Sequence, residues 1–169
     1  PGNAIHIGYF SNGALNATGT SDYPIIFTSN AASPAPGNWA GIIFYASTDD
    51  ALTIMDHCTV EYGGFGMFNS NIYCSIASPT IQNCTIQYSD GYGIYCNDDS
   101  APTLTNNTIN KNGSFAISEF CDMLDSNVTG NTGSGNGTDA IEVRAAHAIN
   151  PFPLQSMQSS HTWISQGLY

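Results

Sequence analysis

The sequence predicts an all-β solenoid, a β-helix in which short strands wind one coil per repeat. Three observations predict it. Segments of one pattern recur through the middle of the chain. Within each segment apolar and polar residues alternate, as they do in half-buried strands. Charged residues make up only 9% of the 169 residues, while Asn, Ser, Thr and Gly abound. Surface polarity therefore comes from amides and hydroxyls, which suits strands joined by many turns.

The recurring segments are Ile54-Met-Asp-His-Cys-Thr-Val-Glu-Tyr62, Thr80-Ile-Gln-Asn-Cys-Thr-Ile-Gln-Tyr88 and Thr103-Leu-Thr-Asn-Asn-Thr-Ile-Asn-Lys111. Ile72-Tyr-Cys74 is echoed by Ile94-Tyr-Cys96, and Ser78-Pro-Thr80 by Ala101-Pro-Thr103. A weaker copy runs through Asn127-Val-Thr129 and Ala140-Ile-Glu-Val143. The step is about 22 to 26 residues per coil. The longer step needs an inserted turn, and Gly66 to Asn71 is the place for it. Ile81, Cys84 and Ile86 point inward, with Gln82, Thr85 and Gln87 outward. Val60, Ile86 and Ile109 then fall in one inward column. Asn83 and Asn106 break the alternation, and Asn tolerates the left-handed backbone a corner needs. Asp139 to Ala148 is the one window with helical spacing, and a short helix is expected there. Repeats this short cannot bury their own apolar face and must stack on their neighbours.

These repeats resemble those of the right-handed parallel β-helix family, the pectate-lyase-like superfamily. Gly19-Thr-Ser-Asp-Tyr-Pro-Ile-Ile-Phe-Thr-Ser-Asn30, followed by Pro36-Gly-Asn-Trp-Ala-Gly-Ile-Ile-Phe44, resembles a module of large secreted and surface β-helix proteins of prokaryotes. The resemblance covers residues 4 to 145 and implies the fold. It does not imply an activity, because the fold carries lyases, hydrolases, epimerases, adhesins and passive stalks. The expected division is a β-helix over residues 1–149 and an irregular tail or linker over 150–169. That tail resembles the start of a next module, or supplies an inter-subunit contact. No signal peptide is visible after Pro1, and both ends read as cut across a continuing pattern.

Charge narrows the partners. Lys111 and Arg144 are the only strongly basic side chains, and the net charge is −11. A phosphate backbone or an anionic membrane surface would be repelled. No apolar run approaches a transmembrane span. The uncharged polar composition fits an extracellular or cell-surface protein.

Chemistry-bearing groups are few. Asp49-Asp50 and Asp98-Asp99 are the acidic pairs a glycosidase would need. In the resembling polygalacturonase-like enzymes, such carboxylates sit with a Gly-His-Gly and an Arg-Ile-Lys motif, and neither is present. Turn residues are the plainer reading. The resembling lyases use an Arg or Lys base, and only Arg144 and Lys111 are available. His6, His57, His147 and His161 have no metal-ligand spacing, and no cofactor motif occurs.

Cys58 and Cys84 are equivalent positions, as are Cys74 and Cys96. Each pair is close enough for a disulfide, and each also suits a ladder of buried thiols. Cys121 has no equivalent. Tyr73 and Tyr95 align on the outer face as candidates for stacking on sugars, or as a ladder that ties coils together. Phe65, Tyr92 and Phe115 form a second aromatic column. Thr59, Thr85 and Thr108 align too, but Glu61, Gln87 and Asn110 break the flat array that ice binding needs. Glycosylation sequons stand at Asn16, Asn83, Asn106, Asn112, Asn127 and Asn136. Asn112 and Asn136, in Gly-rich loops, are expected to be the most accessible, and Asn83 to be protected.

The ends carry the remaining expectation. Ile5, Ile7 and Tyr9 offer an apolar edge strand, and Trp163, Ile164, Leu168 and Tyr169 an apolar tail. Both are expected to meet other copies or adjacent modules head-to-tail. The sequence thus reads as a structural or adhesive segment of a stalk, surface layer or filament, not as a self-sufficient enzyme. The alternative is a carbohydrate-binding or polysaccharide-processing β-helix whose catalytic residues lie elsewhere.

Overall fold

The structure is a computed structural model, which describes residues 3–97, 99–120 and 127–144. The first coil holds β1 (Ala4–Ile7), β2 (Asn16–Thr18) and β3 (Ile25–Phe27); the second β4 (Gly41–Phe44), β5 (Ile54–Asp56) and β6 (Cys58–Glu61). The third holds β7 (Ser70–Ser75), β8 (Thr80–Gln82) and β9 (Thr85–Gln87); the fourth β10 (Tyr92–Asn97), β11 (Thr103–Thr105) and β12 (Thr108–Asn110). Then come β13 (Phe115–Phe120), β14 (Val128–Thr129) and β15 (Thr138–Arg144). Every pairing is parallel, because each strand meets its counterpart one coil away. The result is a six-stranded sheet β1-β4-β7-β10-β13-β15, a five-stranded sheet β14-β11-β8-β5-β2 and a four-stranded sheet β12-β9-β6-β3.

Alternation in sequence becomes columns in space. Ile5, Ile42, Ile72, Ile94, Ile117 and Ile141 stack in register along the six-stranded sheet. Val60, Ile86 and Ile109 stack in the four-stranded one, all three fully buried, as the repeat alignment requires. Each such side chain contributes about 1.5–3 kcal/mol of burial. The inserted turn lies at Gly66–Phe68, a single 3-10 turn before β7. The early coils are longer than the 22–26 residues expected: Ala4 pairs with Gly41 and Ile42 with Ile72. Loop 28–40, which carries Trp39, accounts for the first of these.

Two corners organise the coil. His57, Asn83 and Asn106 turn the first at φ 50°, 52° and 55°. Asn does so at low cost, as expected. Tyr62, Tyr88 and Lys111 turn the second at φ 63°, 55° and 54°. Their side chains offset the strain: the Tyr62 and Tyr88 rings stack 5.2 Å apart, and Lys111 Nζ lies 5.3 Å from the centre of the Tyr88 ring.

One-residue corners strand backbone groups that no strand can pair. Side chains one coil on take them. The Cys58 N–H points at Cys84 Sγ (3.3 Å), the Cys84 N–H at Asn107 Oδ1 (2.9 Å) and the Asn107 N–H at Asn131 Oδ1 (3.0 Å). Each of these side chains also donates down the stack. Cys58 and Cys84 reach the carbonyls of Ala17 and Met55, and Asn107 and Asn131 those of Ile81 and Leu104. Asn112 and Asn136 repeat the device at the second corner, accepting from the N–H groups of Ser89 and Asn112.

Several expectations are corrected here. Thr138–Arg144 is a strand, because the edge of β13 pairs with it, so the expected helix does not begin at Asp139; Ala145 to Ala148 lie outside the described residues. Cys58, Cys74, Cys84 and Cys96 are buried free thiols. The sulfurs of Cys58 and Cys84 are occupied by corner N–H and C=O groups, so thiols, not disulfides, complete the ladder. Asn112 is only 2% exposed, because its amide belongs to that ladder. Asn136 is half-buried for the same reason, while Asn83, the corner residue itself, is exposed. Ser70, not Phe65, stands opposite Tyr92, because the inserted turn carries Phe65 away from the sheet.

Candidate functional site

The outer face of the six-stranded sheet gathers most of the distinctive side chains. One outward column runs His6, Ile43, Tyr73, Tyr95, Ser118, Glu142. Tyr73 and Tyr95, the candidate sugar contacts, are half-buried and stack with centroids 5.4 Å apart and planes 9° from parallel. Phe68 meets Tyr73 edge-on at 5.0 Å, Tyr92 meets Tyr95 edge-on at 4.9 Å, and Phe115 stacks on Tyr92 at 6.5 Å. These rings form a shelf across neighbouring coils. Arg144 closes one end. Its guanidinium lies 4.2 Å from the centre of the Tyr95 ring, donates to Tyr95 Oη at 2.7 Å and reaches the Cys96 carbonyl. Beside it, Ser118 Oγ donates to Glu142 Oε2 at 2.5 Å. Sequence reasoning found the two tyrosines from their repeat position. It missed the Ser118–Glu142 pair and the place of Arg144, which no local pattern marks.

Behind this face, the neighbouring inward column holds Ile7, Phe44, Cys74 and Cys96. The same register puts Glu119 next, followed by Val143. Glu119 is fully buried, and neither carboxyl oxygen has a hydrogen-bond partner among the described residues. Burial pushes its pKa up to about 8, with the Arg144 charge pulling the other way. The Cys96 thiol is also pushed up, first by its hydrogen bond to Cys74 and then by burial.

The Asp49-Asp50 pair serves the backbone. Asp49 caps the short turn Asp50–Leu52 by accepting from the Leu52 N–H, and Asp50 accepts from the Ser78 N–H at 2.8 Å. Asp98 lies outside the described residues, and Asp99 is exposed. Asp56 sits at the first corner, where donation from Asn83 chiefly, with help from Gln82 and His57, holds its carboxyl below the usual range. Among the described residues, no three His, Cys, Asp or Glu side chains gather where they could hold a metal ion.

Of the sequons, Asn16 and Asn106 are exposed and Asn127 is half-buried. Of the assembly candidates, Ile5 and Tyr9 are exposed at 37% and 53%, whereas Ile7 is buried in the chain's own core. Trp163, Ile164, Leu168 and Tyr169 lie outside the described residues, as does Cys121. At the first coil, Ile5, Ile26, Phe27, Asn38 and Trp39 line an open hollow of about 430 Å³. Nearby, Tyr9, Phe10, His6 and Tyr45 form an exposed aromatic cluster, with Phe10 93% exposed.

Parallel strands stacked coil on coil, stacked aliphatic columns in the interior and an aromatic outer flank define a parallel β-helix protein. The model of the right-handed β-helix region matches residues 3–151, and the chain belongs to that family. No curated protein and no solved structure matches it significantly.

Proposed function

We propose that this chain is a structural or adhesive segment of an extracellular or cell-surface assembly, extended by end-to-end stacking of coils of its own kind. One observation carries the reading. Ile42, Ile72, Ile94 and Ile117 are wholly buried, yet Ile5, in the same inward column, is 37% exposed. Its side chain points into the core, but β1 is the edge of its sheet. β2 and β3 are edges as well, so the first coil presents unpaired backbone and an open apolar interior together. Such an edge recruits another strand unless it is covered, and a solenoid end needs a cap. A further coil satisfies both demands, whether it comes from an adjacent module or another copy. The composition supports the extracellular setting.

Amide exchange on the native polypeptide, as its source makes it, tests the reading. The β1 amides are expected to exchange as slowly as those of β4. Rapid exchange at β1, with Ile5 reactive to surface labels, overturns it.

A second reading has its own support. The shelf of Tyr73, Tyr95, Tyr92, Phe115 and Phe68 presents a row of apolar ring edges on the outer face, against which sugars can pack. Binding of a panel of neutral and acidic polysaccharides is then expected to weaken at least about tenfold in a Tyr73→Ala, Tyr95→Ala variant, since aromatic contacts of this kind carry about 1 kcal/mol or more each. Equal binding by the variant, or no binding by the parent, leaves the shelf a ladder between coils.

A further inference from the structure

The two cysteine pairs are equivalent in sequence but differ in what surrounds their sulfurs. Cys58 and Cys84 stand at a corner. Their thiols donate to the carbonyls of Ala17 and Met55, and the Cys84 sulfur also accepts from the Cys58 N–H. A disulfide there would leave the Ala17 and Met55 carbonyls without these donors, which is costly in the interior. Cys74 and Cys96 stand inside β7 and β10, directly opposite each other in register. The sheet takes their backbone groups, and their thiols hydrogen-bond to each other. Adjacent strands set the two Cα atoms about 4.8 Å apart, within the span of a disulfide. Both residues are 0% exposed, with Phe44 next in their column on one side and Glu119 on the other.

We propose that Cys74 and Cys96 are a cross-linking site, joined by a disulfide when the chain folds in an oxidising compartment, while Cys58 and Cys84 remain thiols. A low-molecular-weight disulfide of the glutathione class supplies the oxidation. One cysteine sulfur attacks it and releases one thiol, and the other cysteine sulfur then displaces the second. One S–S bond forms in the protein as one breaks in the oxidant, and the two cysteine protons leave on the released thiols. The bond ties the third coil to the fourth, so it does not depend on what meets the ends of the stack. Once the column closes around it, thiols in solution have no access, and the bond persists as long as the coils do.

The full polypeptide, produced in an oxidising and in a reducing compartment, tests the site. Each preparation is denatured in iodoacetamide without reductant, digested and mapped by mass spectrometry. A linked Cys74–Cys96 peptide pair is expected from the oxidising preparation only, with Cys58 and Cys84 alkylated in both. Glutathione disulfide, added to the reducing preparation just below its unfolding temperature, is expected to produce the same link. The unfolding temperature of the oxidised form is expected to lie about 5–10 °C above that of the reduced form. In a Cys96→Ala variant that gap vanishes, whatever the substitution costs both forms alike. Cys74 and Cys96 alkylated in every preparation overturn the site, as does a bond that instead joins Cys58 to Cys84 or engages Cys121.

Discussion

Glu119→Gln is expected to remove a pH-dependent weakness from the coil stack. Glu119 lies in an inward column beside Cys96, fully buried, with neither oxygen paired among the described residues. A carboxylate there has lost its hydration without gaining a partner, so the neutral acid is the form the fold accepts. Its pKa rises from the ordinary 4.5 to about 8. The direction of the effect follows. Below 4.5 the acid is protonated whether the chain is folded or not, and the stack has its full stability. As pH rises from 4.5 towards 8, the unfolded chain gives up its proton while the folded one holds it, and stability falls. Above 8 both forms are ionised and the loss is complete. The whole loss is up to about 4–5 kcal/mol. Thermal unfolding of the parent is therefore expected to drop by about 5–15 °C between pH 5 and pH 8.5. In Glu119→Gln that drop disappears. The lowered carboxyls of Asp56 and Asp139 act in the opposite sense and at lower pH, so the two effects separate. A parent whose unfolding temperature is flat across this range would show that Glu119 is ionised and paired in the fold.

Ile86→Asp is expected to unfold several coils. Ile86 is fully buried between Val60 and Ile109. Neither of the two strongly basic side chains is available to pair with a new charge there. Lys111 is exposed and engaged with Tyr88, and Arg144 lies on another face. Loss of the isoleucine and burial of an unpaired polar group together cost more than about 4 kcal/mol. Each coil is held by its two neighbours, so a broken coil removes support from both sides. Thr85→Asp, one residue earlier on the outer face, is expected to change stability by less than about 1 kcal/mol. Urea unfolding followed by far-ultraviolet circular dichroism measures both. Similar costs for the two substitutions would place Ile86 outside the core.

The sequence by itself determined the coil. Alternation in Thr80-Ile-Gln82 and Thr85-Ile-Gln87 permits only strands with one buried face, and their recurrence permits only stacking. The corner asparagines Asn83 and Asn106 follow from the one backbone conformation that their residue type tolerates best. Even the ladder left a mark: Asn107 stands where earlier repeats have Cys58 and Cys84, which is legible once the corner's unpaired N–H groups are counted. Tertiary structure alone decided the rest, because those outcomes depend on what lies one coil away. Asn112 reads as an exposed sequon in a Gly-rich loop, but the stack buries it, since its amide satisfies the corner of the preceding coil. The window from Asp139 has helical spacing, yet the free edge of β13 draws Thr138–Arg144 into a strand, because backbone pairing along an open edge outweighs a weak local preference. Glu119 looks like any surface glutamate in a strand. Only the register of β13 on β10 turns it inward, where the cost of an unpaired charge raises its pKa.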